Sequence, residues 1–296
     1  MKYLLLISLL MACQFNYSQK ITNDFFVFES ALSNDSEYNS FEKKAKLIKA
    51  SGFNGIEISE LDHFNEKFKA IVNLGFKPSS LYTKLDLDEP ELDPRLIEAI
   101  KMLKGSGTII CPYIIKKNGV TLHSRDKEVD KIAIQLLRKL ADLADESGLQ
   151  VAIYPHLNFY VEKVNHAASI AKKANKNNLG LTFNLCHWLA TTNLDERAAL
   201  NKQLKTLAPY LKMISINGAN NIISSKSNIW GDYILPLGEG NFDVKGFVKY
   251  VAIDLGLNIP IGIQCYNLKG NKQLVERIST QVNELNLRLV AEFELA

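Results

Sequence analysis

Short apolar runs alternate along the chain with longer segments in which apolar residues recur every three or four positions. The first pattern is typical of buried strands and the second of amphipathic helices. In the segment 126–147, for example, Val129, Ile132, Leu136 and Leu140 follow the helical spacing. The pattern predicts eight strand–helix cycles, with strands at 24–29, 55–59, 79–84, 108–113, 150–154, 180–185, 212–217 and 261–266. The helices after the fifth, sixth and seventh strands are predicted at 161–174, 195–207 and 243–255.

Glycine ends several of the predicted helices directly before the next apolar run, at Gly52, Gly75, Gly148 and Gly256. Glycine there supplies the left-handed backbone angle that turns the chain back into a parallel strand. Eight such units favour a closed (β/α)8 barrel, because an open doubly wound sheet usually has fewer strands and a GxGxxG loop after the first. No Pro- or Gly-rich linker divides the chain. We therefore predict the α/β class and one TIM barrel domain over residues 20–296.

The first twenty residues do not fit the barrel pattern. Lys2 precedes an apolar run at 3–12 that is too short to span a bilayer as a helix, which is the arrangement of a signal peptide. The segment 10–13 resembles a bacterial lipobox ending in Cys13, and ordinary cleavage near residues 18–19 is the alternative. We predict a signal peptide at 1–19 and an exported protein, which is periplasmic, secreted or anchored to lipid.

The composition is that of an ordinary globular protein, with 47% hydrophobic and 23% charged residues, which excludes a disordered chain. The formal net charge is +3, and no basic block is interleaved with aromatic residues, so nucleic acid is not an expected partner. Apart from Cys13, the cysteines are Cys111, Cys186 and Cys265. An odd number without short paired spacings does not predict a disulfide framework, and we expect small buried hydrophobic residues.

Polar and aromatic residues gather where the predicted strands end, and TIM barrels build their active sites at those ends. Aromatic rings stack on the C–H faces of sugars, amides bind hydroxyl groups, and histidine or carboxylate moves protons, so a small carbohydrate is the expected ligand. The candidates for proton transfer are His156, His187 and Glu57. The candidates for substrate binding are Tyr154, Asn184, Trp188, Ser215, Asn217, Gln264, Lys84 and Glu239.

Several motifs occur in an order that resembles the sugar phosphate isomerase/epimerase family with the xylose isomerase-like TIM barrel, which also includes metal-dependent apurinic endonucleases. The resemblance covers almost all of residues 24–290. The order around the barrel carries it, rather than any single motif. The segments are GFNGIE at 52–57, LGFK at 74–77, GLQVAIYPH at 148–156, NLCHW at 184–188, LGEGNF at 237–242 and the strand at 260–266.

The resemblance implies a divalent metal held by Glu, Asp, His and Glu at the ends of strands five to eight. Those four positions are occupied here by Tyr154, Asn184, Ser215 and Gln264. A hard cation derives much of its affinity from carboxylate charge, which these residues lack. His156 and His187 remain as an incomplete zinc pair, with Cys186 as a candidate third ligand. We therefore assign no metal ligand and no cofactor, with Mn²⁺, Mg²⁺ or Zn²⁺ left as an alternative.

Each candidate also has a structural interpretation. The two histidines are either acid–base groups or hydrogen-bonding residues of a polar rim. Glu57 either acts on substrate or forms an ion pair with Lys84, which is itself either a carbonyl-polarising group or a solvated side chain. Trp188, together with Trp230, either stacks on a sugar or packs in the core, and Glu239 either acts at the rim or fixes a Gly-flanked turn.

Three functions remain open. The first is isomerisation or epimerisation of a free sugar, keto-sugar or glycoside by proton transfer next to a carbonyl. The second is a lyase or hydratase that acts on an oxidised glycoside. The third is a carbohydrate-binding protein that retains the barrel without catalysis. Export disfavours phosphorylated substrates, which are mostly cytoplasmic, and the sequence does not indicate an oligomeric state.

Overall fold

Eight parallel strands close into a barrel in a computed structural model that describes residues 21–89, 91–117 and 126–294. Each strand pairs with the next in the chain, and β1 pairs with β8 through Phe26 opposite Gly262 and Val27 opposite Ile263. The predicted single TIM barrel is confirmed. The predicted signal peptide, with Cys13, lies outside the described residues. The strands are β1 Phe25–Val27, β2 Gly55–Ser59, β3 Lys77–Asp86, β4 Ile109–Ile115, β5 Gln150–Ile153, β6 Leu179–Asn184, β7 Leu211–Ile216 and β8 Ile261–Ile263.

Amphipathic helices surround the barrel, as the apolar spacing predicts. The helices are α1 Phe41–Ala50, α2 Phe64–Asn73, α3 Pro94–Met102, α4 Lys127–Glu146, α5 Val164–Ala174, α6 Leu185–Thr191, α7 Leu194–Ala198, α8 Leu200–Leu207, α9 Ile229–Tyr233, α10 Val244–Lys249 and α11 Lys272–Glu294. The predicted helix at 243–255 is divided into α10 and a π-helical turn, Tyr250–Asp254. None of the helices in the described ranges is long and apolar enough to cross a membrane.

The chain between β6 and β7 differs most from the prediction, which placed one helix at 195–207. Helix α6 follows β6 directly and carries His187 and Trp188. A separate helix, α7, then begins at Asn193, whose side chain accepts from the backbone of Glu196 while the Glu196 carboxylate accepts from the backbone of Asn193. This capping box starts a new helix after the break at Thr192.

Strand β8 is shorter than predicted and ends at Ile263 rather than at residue 266. The Gln264 side-chain oxygen accepts from the Tyr266 backbone N–H at 2.8 Å. This bond takes the Tyr266 donor out of the ladder and turns the chain towards the barrel mouth. Strand β3 is longer than the predicted 79–84, because it stays paired with β4 from Ser80 to Asp86.

The interior of the barrel is filled by a small cluster of rings and aliphatic groups, separate from the larger core between strands and helices. Gly262 makes room for this cluster, since a Cβ atom there would lie 2.6 Å from the Phe28 ring and 2.7 Å from the Phe26 ring. Cys111 belongs to it, and Cys186 and Cys265 are also buried free thiols, as predicted. The barrel interior is therefore packed with side chains, and the functional groups lie above this cluster at the barrel mouth.

Candidate active site

A cavity of about 290 Å³ opens at the C-terminal ends of the strands. It is the place where TIM barrels carry out chemistry. The lining brings together three of the predicted proton-transfer residues and two of the predicted binding residues with groups from the other loops of the same face. The lining residues are Phe28, Ser30, Glu57, Ser59, Tyr82, Tyr154, His156, His187, Trp230, Ile234, Gln264 and Tyr266.

Glu57, at the end of β2, is the carboxyl group of this cavity and is only 4% exposed. Burial raises the pKa of Glu57 to about 8, and the neighbouring charge of Glu29 acts in the same direction. The Ser59 hydroxyl donates to the carboxyl oxygen Oε1 at 2.7 Å, which opposes the rise in pKa without cancelling it. Near neutral pH the group is therefore protonated and able to donate a proton. The alternative ion pair with Lys84 does not form.

The histidines come from two different elements and lie against each other. His156 follows β5 and stacks on Phe159 with ring centroids 4.0 Å apart, and the His187 ring lies 4.1 Å from the His156 ring. Burial lowers the pKa of His156, and it lowers the pKa of His187 well below the usual value, with the His156 charge as a further cause. Both imidazoles are therefore neutral at pH 7, the form that can either accept or donate one hydrogen bond at each nitrogen.

The acid and the imidazoles occupy opposite walls of the cavity. Glu57 ends β2 and His187 follows β6, and these strands are four positions apart in a closed ring of eight. Strands so related face each other across a barrel. A molecule in the cavity is therefore bounded by a protonated carboxyl group on one side and by neutral imidazoles on the other.

Aromatic rings form much of the remaining wall. Tyr154 is 2% exposed, and its ring meets Tyr82 edge-on at 4.8 Å between centroids. Tyr82 in turn stacks on Tyr113 at 4.6 Å. Burial raises the pKa of Tyr154 well above its usual value, so its hydroxyl group stays protonated. Such rings present apolar faces with polar tips, which suits a ligand with C–H faces and hydroxyl groups.

The four positions that the sequence aligns with metal ligands converge at the strand ends and bond to each other in pairs. The Ser215 hydroxyl donates to the Asn184 side-chain oxygen at 2.9 Å, and the Asn184 amide nitrogen donates to the Pro155 carbonyl at 3.2 Å. The Gln264 amide nitrogen donates to the Tyr154 hydroxyl oxygen at 3.5 Å. Tyr154 and Gln264 reach the cavity, whereas Asn184 and Ser215 lie beneath it.

Residues 45–274 match the family described as xylose isomerase-like TIM barrel. The chain belongs to that family. No curated protein matches it significantly. Solved structures that share its fold include two sugar epimerases.

Three of these solved structures superpose on this chain over nearly their full length. The IOLI protein with a binding zinc atom is 16% identical, with a TM-score of 0.66 over 91% of this chain and 99% of that one. D-Allulose 3-epimerase from Methylomonas sp., in complex with D-allulose, is 14% identical, with a TM-score of 0.66 over 90% and 98%. The 3-keto-D-glucoside 4-epimerase YcjR from E. coli is 14% identical, with a TM-score of 0.66 over 90% and 99%. At these identities the likeness shows the fold.

A divalent metal, which the family implies, does not fit the residues at the barrel mouth. The paired groups Asn184–Ser215 and Tyr154–Gln264 are neutral and bonded to each other. Over residues 21–89, 91–117 and 126–294 there is no group of three His, Cys, Asp or Glu side chains that is able to hold a metal. Cys186 does not form such a group with the two histidines, and burial raises the pKa of its thiol to about 12.

We expect the protein to bind Mn²⁺ weakly or not at all, and its activity to survive EDTA. A typical family site sets three carboxylates against the ion, and each missing ion–carboxylate contact costs on the order of a few kcal/mol. Calorimetric titration of EDTA-treated protein with Mn²⁺ checks this. A one-to-one site of micromolar affinity would contradict the prediction, and its loss in N184A/Q264A would place the ion at the barrel mouth.

Besides Asn184 and Ser215, four of the predicted binding residues do not line the cavity. Trp188 is 1% exposed, packs on Phe183 and donates its indole N–H to Gln203, so it is a core residue rather than a stacking platform. Asn217 is fully buried and donates to the Gly218 and Tyr233 carbonyls. The other two residues, Lys84 and Glu239, have exposed side chains.

Lys84 and Glu239 stand at the surface of the same face of the barrel. The Lys84 ammonium lies 3.5 Å from the Asp86 carboxylate with its side chain 47% exposed, because the longer β3 carries it past the cavity. The Glu239 carboxylate accepts from the Arg277 guanidinium at 2.7 Å, a bond that ties its turn to α11. Neither lines the cavity, so the structure supports the solvated-lysine and loop-fixing interpretations.

Trp230 is the tryptophan that reaches the cavity. It lies on the short helix α9, meets the His187 ring at 5.2 Å and approaches Tyr266 at 6.3 Å. Phe28, Ser30 and Ile234 also line the cavity but were not predicted as site residues. The position of Phe28 and Ser30 just beyond the first strand is the only feature of the sequence that could have indicated them as site residues.

The segment that carries Trp230 is held by the buried side chain of Arg197. Its guanidinium donates to the carbonyls of Leu189 at 2.6 Å and Ile222 at 2.7 Å, and to the Tyr233 hydroxyl at 2.8 Å. The Arg197 side chain thus joins α6, α7 and the connection from β7 to α10. One wall of the cavity depends on this network.

Proposed function

We propose that the protein inverts a stereocentre next to the carbonyl group of an uncharged sugar by proton transfer that needs no metal. The observation that carries the proposal is the placement of the protonated Glu57 opposite the neutral imidazoles of His156 and His187 around one cavity. Proton removal on one face of a carbon and delivery on the other face invert that carbon. General acid–base groups of this kind contribute roughly 10²–10⁴ in rate each.

The lining of the cavity favours a free sugar, keto-sugar or glycoside over a phosphorylated one. It contains no lysine or arginine among the residues placed by the structure. Phosphate is normally bound by cationic side chains with charge-assisted hydrogen bonds. The aromatic faces of Trp230 and Tyr82, together with the amide of Gln264, suit the C–H and hydroxyl groups of a neutral sugar.

The reaction is tested by NMR in D₂O with purified protein and a panel of free sugars and keto-sugars. We expect deuterium to enter at the carbon next to the carbonyl and a second diastereomer to appear. Binding without deuterium uptake by any sugar would contradict catalysis and leave a carbohydrate-binding protein. The appearance of NMR signals from a product that lacks a hydroxyl group or aglycone would instead establish a lyase or hydratase.

A lyase acting on a keto-glycoside is the second candidate, and the protonation of Glu57 favours it. Elimination begins with the same removal of a proton next to the carbonyl. It then needs an acid that protonates the departing glycosidic oxygen, and a carboxyl group with a pKa of about 8 supplies one near neutral pH.

We expect His156→Gln to lower deuterium uptake and epimer formation together by about 10²–10⁴-fold. Glutamine retains hydrogen bonding but has no nitrogen that accepts a proton at neutral pH. Rates measured by NMR at saturating sugar check this result. The matched control is Glu239→Gln at an exposed ion pair outside the cavity, which should leave both rates unchanged. Equal rates for H156Q and wild type would contradict a role for His156 in proton transfer.

We further propose that the chain is exported, on the strength of the charged start and apolar run at residues 2–12. An uncharged substrate accords with that location. Intact-mass analysis of protein from a fractionated bacterial host is the test. Removal of residues 1–19 indicates ordinary cleavage, and a lipid-modified N-terminal Cys13 indicates an anchor. A full-length chain retained inside the cell would contradict export.

A further inference from the structure

The backbone of a single residue, Leu157, contacts both histidines of the cavity. The His156 Nδ1 atom lies 2.8 Å from the Leu157 carbonyl oxygen. The Leu157 backbone N–H donates to the His187 Nδ1 atom at 3.3 Å. The two rings are 4.1 Å apart, and both line the cavity.

The two polar groups of Leu157 impose opposite demands on the imidazoles. A carbonyl oxygen only accepts a hydrogen bond, so His156 Nδ1 must carry the hydrogen. An N–H only donates, so His187 Nδ1 must be the bare nitrogen. Because a neutral imidazole has one hydrogen, the remaining nitrogen of each ring is fixed as well.

We propose that the Leu157 backbone holds the two histidines in opposite tautomers, with a bare Nε2 on His156 and a protonated Nε2 on His187. Neither Nε2 atom has a hydrogen-bond partner within the described part of the chain. The wall therefore offers one acceptor and one donor side by side. This inference deepens the proposed function, on which it rests, by giving the two histidines different roles and naming an α-hydroxy carbonyl group as the part of the substrate that they recognise.

The pair matches the needs of proton transfer next to a carbonyl. His156 Nε2 takes the proton of the C–H bond, whose electrons form the C=C bond of an enediolate while the carbonyl π electrons move to oxygen. His187 Nε2–H donates a hydrogen bond to that oxygen and keeps its proton. The Glu57 carboxyl group then delivers a proton to the carbon from the opposite face as the C=C electrons form the new C–H bond and the carbonyl returns. His156 ends protonated and Glu57 ionised, and exchange with water restores both.

A neutral imidazole that donates to the developing negative oxygen is a suitable partner, because it stabilises charge without transferring its proton. Burial keeps both rings in the neutral form that the assignment requires. Leu157 is thus a positioning residue that acts through its backbone, and its side chain is half-buried. The assignment does not depend on which sugar the protein uses.

The experiment is NMR of the full chain with ¹⁵N-labelled histidine, in which long-range couplings between ring nitrogens and ring C–H protons reveal the tautomer. The chain has five histidines, and the signals are assigned from H156Q and H187Q. We expect His156 to show a protonated Nδ1 and a bare Nε2, and His187 the reverse. The same tautomer at both rings, or a protonated Nε2 on His156, would overturn the proposal.

Two variants at residue 157 test the cause. Leu157→Ala keeps the backbone groups and should leave both tautomers unchanged. Leu157→Pro removes the N–H and keeps the carbonyl, so His187 should gain a protonated Nδ1 fraction while His156 stays as before. An unchanged His187 tautomer in a folded L157P would overturn the role of the backbone. If L157P does not fold, the tautomers of both rings in the wild-type spectrum test the proposal. Absence of sugar turnover with the expected tautomers would refute only the proposed function, and turnover with other tautomers only this inference.

Discussion

Replacing Glu57 by glutamine is expected to separate deuterium uptake from inversion. His156 continues to remove the proton and exchange it with solvent on its own face of the substrate. The substituted amide has no proton to release on the other face, so epimer formation should fall by about 10²–10⁴-fold while deuterium enters with retained configuration. NMR in D₂O reports both rates in one sample. If deuterium uptake and epimer formation fell together in a folded E57Q protein, the placement of acid and base on opposite walls would be contradicted.

The same substitution should also change how stability depends on pH. The folded-state pKa of Glu57 is raised from its ordinary value of 4.5 to about 8, so between these values the folded chain binds more protons than the unfolded chain. The contribution of this group is therefore fully present below pH 4.5 and is lost as the pH rises towards 8. The lost free energy of unfolding is on the order of 3–5 kcal/mol.

Thermal unfolding at pH 5 and pH 9 measures this effect. E57Q should be stabilised relative to wild type at pH 9 and much less so at pH 5, since glutamine does not ionise. Glu239→Gln provides the control, because its carboxylate is exposed and paired with Arg277, and it should not alter the pH dependence. Wild-type activity should decline above about pH 8 for the same reason. Identical pH profiles for wild type and E57Q would exclude a buried, protonated Glu57.

Replacing Arg197 by methionine is expected to cost about 2–4 kcal/mol of unfolding free energy and to weaken sugar binding. Methionine fills similar space but removes the guanidinium, so the Leu189 carbonyl loses its side-chain donor, while the Ile222 carbonyl keeps the Tyr233 hydroxyl and that hydroxyl keeps the Ser224 N–H. The connection that carries Trp230 then loses its anchor to α7. Denaturant unfolding gives the first quantity, and KM for the sugar the second.

Arg138→Met is the matched control for this prediction. Arg138 also donates to two backbone carbonyls, those of Lys173 and Ala174, but it is exposed and does not line the cavity. Water replaces its hydrogen bonds, so a loss of less than about 1 kcal/mol and an unchanged KM are expected. Equal losses for R197M and R138M would show that burial of the guanidinium network contributes little.

The barrel was predictable from the sequence because each strand is a continuous apolar run and each long helix has a regular stripe. Helix α6 gives no such signal, since its first five residues, from Leu185 to Leu189, are all buried and show no amphipathic period. The orientation of α6 about its axis also determines whether His187 or Trp188 faces the cavity. Consecutive helical residues point about 100° apart, so His187 faces the cavity and Trp188 faces the core.

The remaining site residues depend on the path of loops, which periodicity does not reveal. Trp230 reaches the cavity because a buried arginine in α7, Arg197, holds its segment in place. Asn217 was predicted as a substrate ligand at a strand end, but its amide donates to the Tyr233 carbonyl at the end of the helix that carries Trp230. Polar residues at strand ends thus divide into those that face the cavity and those that support its walls, and the sequence does not distinguish them.

The paired groups at the barrel mouth also constrain how this branch of the family can evolve. Asn184→Asp would place a buried carboxylate oxygen opposite the Pro155 carbonyl, where the amide N–H now donates, so two acceptors would face each other without a hydrogen. Gln264→Glu is milder, because the Tyr266 N–H and the Tyr154 hydroxyl are both able to donate to it. A change towards carboxylate ligands would thus cost folding stability at residue 184 before any ion was bound. We therefore expect Asn184→Asp to destabilise the fold more than Gln264→Glu does.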